Sequence, residues 1–363
     1  MQIEGNGGNG MLVRQKGKAR HYRTVWWESG KLKMIEQNLL PFEFRIFASR
    51  NHSETAKAIS EMTVRGAGAI GAAAGFGIGQ AFCEAKKKRG EEMWKYCAKA
   101  RKEIEETRPT AVNLFHATQR VWESARNSSN PAESALKEAK RIADEDSEAC
   151  RKIGENGKKL LRGIEAMETH CNAGWLAFTD WGSALSPVYA AKREGNNVFV
   201  FVDETRPRGQ GARLTAWELK NEGVRHAVIA DNAGAHYMQS GKIGLMITGA
   251  DRIAQNGDTA NKIGTLEKAI CAKEFGIPFY IAAPESTIDK KYKSGKGMPI
   301  EERDGKEVLF QSGLDSEGKM REIRVSNPGS NALNPGFDVT PARLIKGIIT
   351  ENGIVRPGKG KFE

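Results

Sequence analysis

The feature that most constrains this chain is an alternation in its second half. From about residue 196 onward, the apolar runs NVFVFV, HAVIA, KIGLMITGA and IPFYIAA are separated by GARLTAWELKNEG, AGAHYMQSG and ANKIGTLEKAICAKEFG, which carry a helical period. Continuous apolar runs of this length read as strands buried on both faces, and strand–helix alternation makes a parallel, doubly wound sheet. Ligands then gather at the C-terminal ends of the strands. The first half reads differently. Between about Ser53 and Arg162 the segments EEMWKYCAKARKEIEE, PTAVNLFHATQRVWESA and PAESALKEAKRIADEDSEACRKI keep a helical period, with helix starts expected near Thr110 and Pro131. The chain therefore reads as α/β, with a mostly helical N-terminal domain over residues 1–165 and a Rossmann-like domain over residues 166–363. The stretch from Lys290 to Pro328 reads as a charged, irregular excursion, and ARLIKGIITENG reads as a final helix.

Composition narrows the function classes. The net charge of +11 would suit an anionic partner, but the basic residues are interleaved with acids, as in EAKKKRGEE, so a mixed-charge surface is expected and no nucleic acid. The run GAGAIGAAAGFGIG is too short and too rich in Gly and Ala for a membrane span. The five cysteines are widely spaced without a CxxC, and the opening stretch lacks the apolar core of a signal peptide, so a cytoplasmic protein is expected. The six histidines show no metal-ligand spacing and no Gx4GK[ST] loop is present, so neither a metal nor a cofactor is expected.

Several short motifs remain. THCNAG places Cys171 in a polar turn after the helical-looking run KKLLRGIEAMETH, where a reactive thiolate would suit better than a structural thiol. His170 is its neighbour, and adjacent side chains normally point apart. VRGAGAIG contains a literal GxGxxG at Gly66, Gly68 and Gly71, but no strand precedes it, so the dinucleotide reading fails. What remains is either tight helix packing or a helix N-terminus that, with Arg65, holds an anion. ETRPTAVN places Arg108 at a second helix start, as an anion ligand or as a surface residue beside a Thr110 cap. DETRPRGQGARLTAWEL puts Asp203, Arg208, Gln210 and Arg213 after one strand, and GADRIAQNGDTANKIGT puts Asp251, Asn261 and Lys262 after another, with Lys262 at the head of a helix. An acid ending a buried strand is costly unless paired or used.

Taken together, RGAGAIG, RPTAVN, THCNAG, DETRPRGQGARLTAWEL, GADRIAQNGDTANKIGT, PESTID, PIEERD and NPGFDVTP resemble the methylthioribose-1-phosphate isomerase family, from about Thr24 to the end of the chain. The wider superfamily also holds ribose-1,5-bisphosphate isomerases and regulatory subunits of a translation-initiation exchange factor. The resemblance implies an aldose–ketose isomerase of methionine salvage, acting without cofactor on a sugar phosphate as a homodimer. It implies Cys171 and Asp251 as the catalytic pair, and Arg65, Gly66, Ala67, Arg108, Gln210, Asn261 and Lys262 as the residues holding substrate. Gly68, Arg208, Gly209, Trp175 and Trp181 depart from the family pattern. Arg208 would welcome a second phosphate, and Trp175 would pack on a thioether tail. In this scheme Asp251, kept protonated by apolar surroundings, donates to the ring oxygen, while Cys171, its pKa lowered by cations, acts as base at C2. A hydride shift between C1 and C2 is the open alternative.

Overall fold

The computed structural model describes residues 10–15, 17–109 and 111–358. It begins with strands, not helices: a hairpin of β1 (Met11–Gln15) and β2 (Lys18–Tyr22), then an antiparallel sheet of β3 (Val25–Glu28), β4 (Lys31–Ile35) and β5 (Ile46–Ser49). The helical layer follows, with α1 (His52–Ser60), α2 (Ala67–Glu84), α3 (Glu91–Glu106), α4 (Val112–Arg126) and α5 (Pro131–Gly157). The α2 helix runs through the middle of this layer and is buried over nearly its whole length. Its small residues let neighbours approach closely: a β-carbon on Gly79 would meet Leu136 Cδ2 at 2.8 Å.

The second half holds β6 (Ala166–Thr169), α6 (Ser186–Arg193), β7 (Phe199–Asp203), α7 (Ala216–Glu222), β8 (His226–Ile229), α8 (Gly234–Gln239) and β9 (Leu245–Thr248). After them come β10 (Arg252–Ile253), β11 (Thr259–Lys262), α9 (Thr265–Glu274), β12 (Phe279–Ala282), α10 (Lys306–Leu309), β13 (Phe310–Leu314), β14 (Met320–Arg324), β15 (Phe337–Thr340), β16 (Gly347–Thr350) and β17 (Gly353–Val355). A seven-stranded sheet runs in the order β17-β16-β12-β9-β6-β7-β8, parallel except for the edge strand β17. Successive residues point to opposite faces. Met167, Val200, Val202, Leu245 and Ile247 pack toward α5, α6 and α7, whereas Phe201, Met246, Ile281 and Ile348 pack toward α8 and α9.

Four local expectations are corrected. KKLLRGIEAMETH is not helical throughout: Gly163, at φ 75, breaks the chain direction, and Ala166–Thr169 form the central strand β6. ANKIGT is not a helix start, because Thr259–Lys262 pair with β10 and β15, and α9 begins only after Gly264 at φ 100. ARLIKGIITENG is not a helix, since Ile348, Ile349 and Thr350 are β-branched residues that fill a strand position beside β12. The excursion after Lys290 is not wholly irregular, because β13 and β14 form a hairpin within it. No helix is long and apolar enough to cross a membrane among the described residues.

Candidate active site

Cys171 lies two residues beyond the C-terminal end of β6, at φ 66. Its N–H donates to Thr205 Oγ1 at 2.9 Å and its carbonyl accepts from Thr215 Oγ1 at 2.7 Å. Thr205 follows β7 and Thr215 closes the turn leading into α7, so segments distant in sequence fix one strained residue. Asp251 follows β9 and donates its N–H to Ala260 O at 3.0 Å. Next to it, Asn261 and Lys262 stand on β11, so Lys262 is not at the head of a helix as expected. Lys262 Nζ donates to Gly336 O at 2.8 Å and sits 4.6 Å from the centre of the Phe337 ring.

From the helical layer, Gly66 at φ 94 precedes α2, and Arg65 Nη2 donates to Asn172 O at 3.0 Å. Arg108 reaches the same space from a loop before α4, which begins at Val112; Thr110 lies outside the described residues. One cavity is lined by all of Cys171, Asp251, Arg65, Gly66, Ala67, Arg108, Gln210, Asn261 and Lys262. Arg208, at first only a departure from the family pattern, also lines it, as do His170 and Phe337. Trp175 does not: it is fully buried against Trp217, with ring centres 6.0 Å apart.

Sequence reasoning missed Arg303. It lines the cavity from the excursion after Lys290, paired with Glu301 at 3.1 Å and Glu307 at 2.6 Å. The signal was present in PIEERD, but a mixed-charge run resembles solvated surface until the fold turns it inward.

The electrostatics are asymmetric. Arg208 already has a carboxylate partner, its Nη1 lying 3.2 Å from Glu307, which it shares with Arg303, while Glu301 also pairs with Arg303. In contrast, Arg65, Arg108 and Lys262 have no ion pair among the described residues. Arg65 Nη1 and Gln210 Oε1 are buried without a hydrogen-bond partner among the described residues, which a protein tolerates where a ligand completes the shell. Asp251 opens onto the cavity but is otherwise enclosed by protein, and this enclosure raises its pKa while Lys262, Arg65 and Arg108 pull it down. Its surroundings are thus cationic, not apolar. Burial likewise raises the Cys171 thiol, against the pull of Arg65 and Lys262, so the expected lowering does not occur and the free site holds a thiol at neutral pH. Burial lowers Lys262, while Cys171 and Asp251 hold it up.

His170 turns away from Cys171. Its Nδ1 lies 2.9 Å from Asp203 Oδ2 and its Nε2 lies 2.8 Å from Ile263 O. His170, Asp203 and Asp231 bring possible metal donors within 4.8 Å of one another. Those donors are engaged internally: Asp231 also accepts the backbone N–H groups of Thr205 and Arg206, each at 2.7 Å.

A parallel sheet with a polar, cationic pocket at its strand ends, closed by a helical layer, defines a class. The chain belongs to the Initiation factor 2 subunit family, whose model matches residues 63–357. Within that family its relatives include enzymes named methylthioribose-1-phosphate isomerase. The one from Sinorhizobium medicae is 47% identical over 92% of this chain and 94% of its own length. The one from Sulfurimonas denitrificans is 45% identical over 93% and 96%. Among solved structures, the 5-methylthioribose 1-phosphate isomerase of Pyrococcus horikoshii superposes with a TM-score of 0.84 at 44% identity, covering 94% of each chain. The structure of the translation initiation factor eIF-2B, subunit delta, from A. fulgidus gives 0.81 at 38% identity, covering 93% of this chain and 96% of that one.

Proposed function

We infer that this chain is an aldose–ketose isomerase that converts 5-methylthioribose 1-phosphate to 5-methylthioribulose 1-phosphate, a step of methionine salvage. The observation that carries the reading is one cavity joining Cys171 and Asp251 to Arg65, Arg108 and Lys262, cations without a carboxylate ion-pair partner among the described residues. These charges match one phosphate dianion, with Asp251 as the remaining counter-charge. Because Glu307 pairs with Arg208, the case for a second phosphate, and so for ribose 1,5-bisphosphate, weakens.

The substrate's anomeric oxygen is phosphorylated, so its ring opens only if the C1–O4 bond breaks with a proton delivered to O4. Cys171, a thiol in the free site, is the donor, and the C1–O4 electron pair leaves with O4. Asp251, flanked by cations, removes the C2 proton and returns it to C1. The 2-hydroxyl proton then restores the thiol, and the ketone forms at C2. This assignment reverses the roles expected from the resemblance: burial raises both groups against the pull of the same cations, but a thiol starts from a much higher ordinary value than a carboxyl and so is the one that keeps its proton. A direct C2-to-C1 hydride shift would spare Asp251 its transfer and keep a C2 deuterium label fully in the product.

The phosphate is held by Arg65, Arg108 and Lys262, with Gly66 and Ala67 at the start of α2, and Gln210 and Asn261 face the sugar. We place the enzyme in the cytoplasm, as its five free cysteines suit, and as a homodimer, which sedimentation velocity would test. Function is tested by phosphorus and proton NMR time courses on methylthioribose 1-phosphate and ribose 1,5-bisphosphate, run in parallel. Conversion of the first supports the reading. Conversion of the second alone moves the substrate, and no turnover of either points to a regulatory subunit.

A further inference from the structure

We propose that Glu218 is a positioning residue for this reaction: it grips Asn172 from beneath the pocket and, through Asn172, sets the Cys171 thiol and the Arg65 guanidinium relative to each other. The proposal rests on the isomerase reading above. Glu218 stands on α7, is fully buried and does not line the cavity. Its Oε1 accepts from Asn172 Nδ2 at 2.8 Å and Leu176 N at 3.2 Å, and its Oε2 accepts from Trp175 N at 2.9 Å and Tyr189 Oη at 2.8 Å. A single carboxylate therefore organises the turn that follows Cys171. The turn is shaped to it, because a β-carbon on Gly174 would lie 1.8 Å from Glu218 Oε2.

Asn172 carries the effect into the pocket. Its carbonyl accepts from Arg65 Nη2 at 3.0 Å. Its side chain also donates to Thr215 Oγ1 at 3.2 Å, the hydroxyl that in turn holds the Cys171 carbonyl. If the grip on Asn172 loosens, the Thr215 hydroxyl that holds the Cys171 carbonyl and the carbonyl that anchors Arg65 shift together. A residue needed only for folding would leave the thiol and the guanidinium where they are once the protein folds.

Glu218→Gln keeps the shape but turns one acceptor oxygen into a donor, which must face either Asn172 and Leu176 or Trp175 and Tyr189. In the full-length protein with unchanged circular dichroism, kcat should fall by about tenfold or more while KM stays within about threefold. Alkylation of Cys171 by iodoacetamide, followed by peptide mass, should slow, and Glu218→Asp should restore part of both. A folded Glu218→Gln protein with wild-type kcat and wild-type Cys171 alkylation would overturn the proposal. Should Glu218→Gln not fold, Tyr189→Phe, which removes one donor to the same carboxylate, carries the test: a smaller fall in kcat with slower alkylation supports it, and no change in either overturns it. If the wild-type protein itself fails to turn over methylthioribose 1-phosphate, the isomerase reading falls, and the alkylation comparison alone decides whether Glu218 sets the thiol.

Discussion

Gly66 and Ala177 approach so closely that a β-carbon on Gly66 would lie 2.3 Å from Ala177 Cα. The contact presses the N-terminal end of α2 against the turn that follows Cys171, and Gly66 meets it at φ 94. Gly66→Ala is expected to be both strained and crowded, costing about 1–3 kcal/mol of stability. It should also raise KM, because the start of α2 moves away from the proposed phosphate position. A thermal melt and substrate titration check both, and a variant with wild-type melting and KM removes Gly66 from the proposed site.

Cys171→Ser and Asp251→Asn remove the two groups proposed to transfer protons, without removing core volume. Each should lower kcat by about 10²–10⁴-fold with little change in melting temperature. Turnover near wild type in either variant, followed by NMR, means that the residue concerned carries no proton.

The arginines of the cavity should separate by their partners. Arg108 has no ion pair among the described residues, so Arg108→Ala should raise KM by roughly ten- to a hundredfold, the worth of a charge-assisted hydrogen bond. Arg208 is paired with Glu307, and Arg208→Ala should change KM far less. Initial-rate kinetics decide, and the reverse ranking would favour a substrate with a second phosphate near Arg208.

Stability should fall as the solution becomes alkaline. Burial pushes Glu168 up to about 9, Asp203 to about 8, and Asp180 and Glu218 to about 7, each above its unfolded value. Raised acids bind more protons folded than unfolded, so their contribution is complete below the unfolded pKa and is lost as pH rises through the folded ones. Between pH 6 and 9 the loss should be on the order of a few kcal/mol, since raising one acid's pKa tenfold in proton affinity is worth about 1.4 kcal/mol. Urea unfolding at the two pH values measures it, and equal or greater stability at pH 9 contradicts it.

Four of the parallel strands, β7, β8, β9 and β12, were legible because they are continuous apolar runs, whereas β6 and β16, also parallel, were read as helical. Cys171 was legible because a thiol in a polar turn is unusual. Where periodicity misled, a glycine or a pairing partner decided the outcome. Lys262 looked like a helix start, but β15 holds it in a strand, and Ile348 and Ile349 looked helical until β12 supplied a neighbour. Strands β1 to β5 are short and only partly apolar, so they left little pattern to read. Arg303 and Glu218 were invisible for opposite reasons: one hides in a charged run and the other inside an amphipathic helix, and only tertiary contacts give either a role.

The cavity draws Arg65, Gly66, Ala67 and Arg108 from the helical layer, but Cys171 and Asp251 from the ends of parallel strands. The pair proposed to transfer protons and much of the proposed phosphate grip are thus carried by separate stretches of chain. Substitutions in the helical layer can therefore reshape one wall of the cavity while leaving the strand-end wall that carries Cys171 and Asp251 in place.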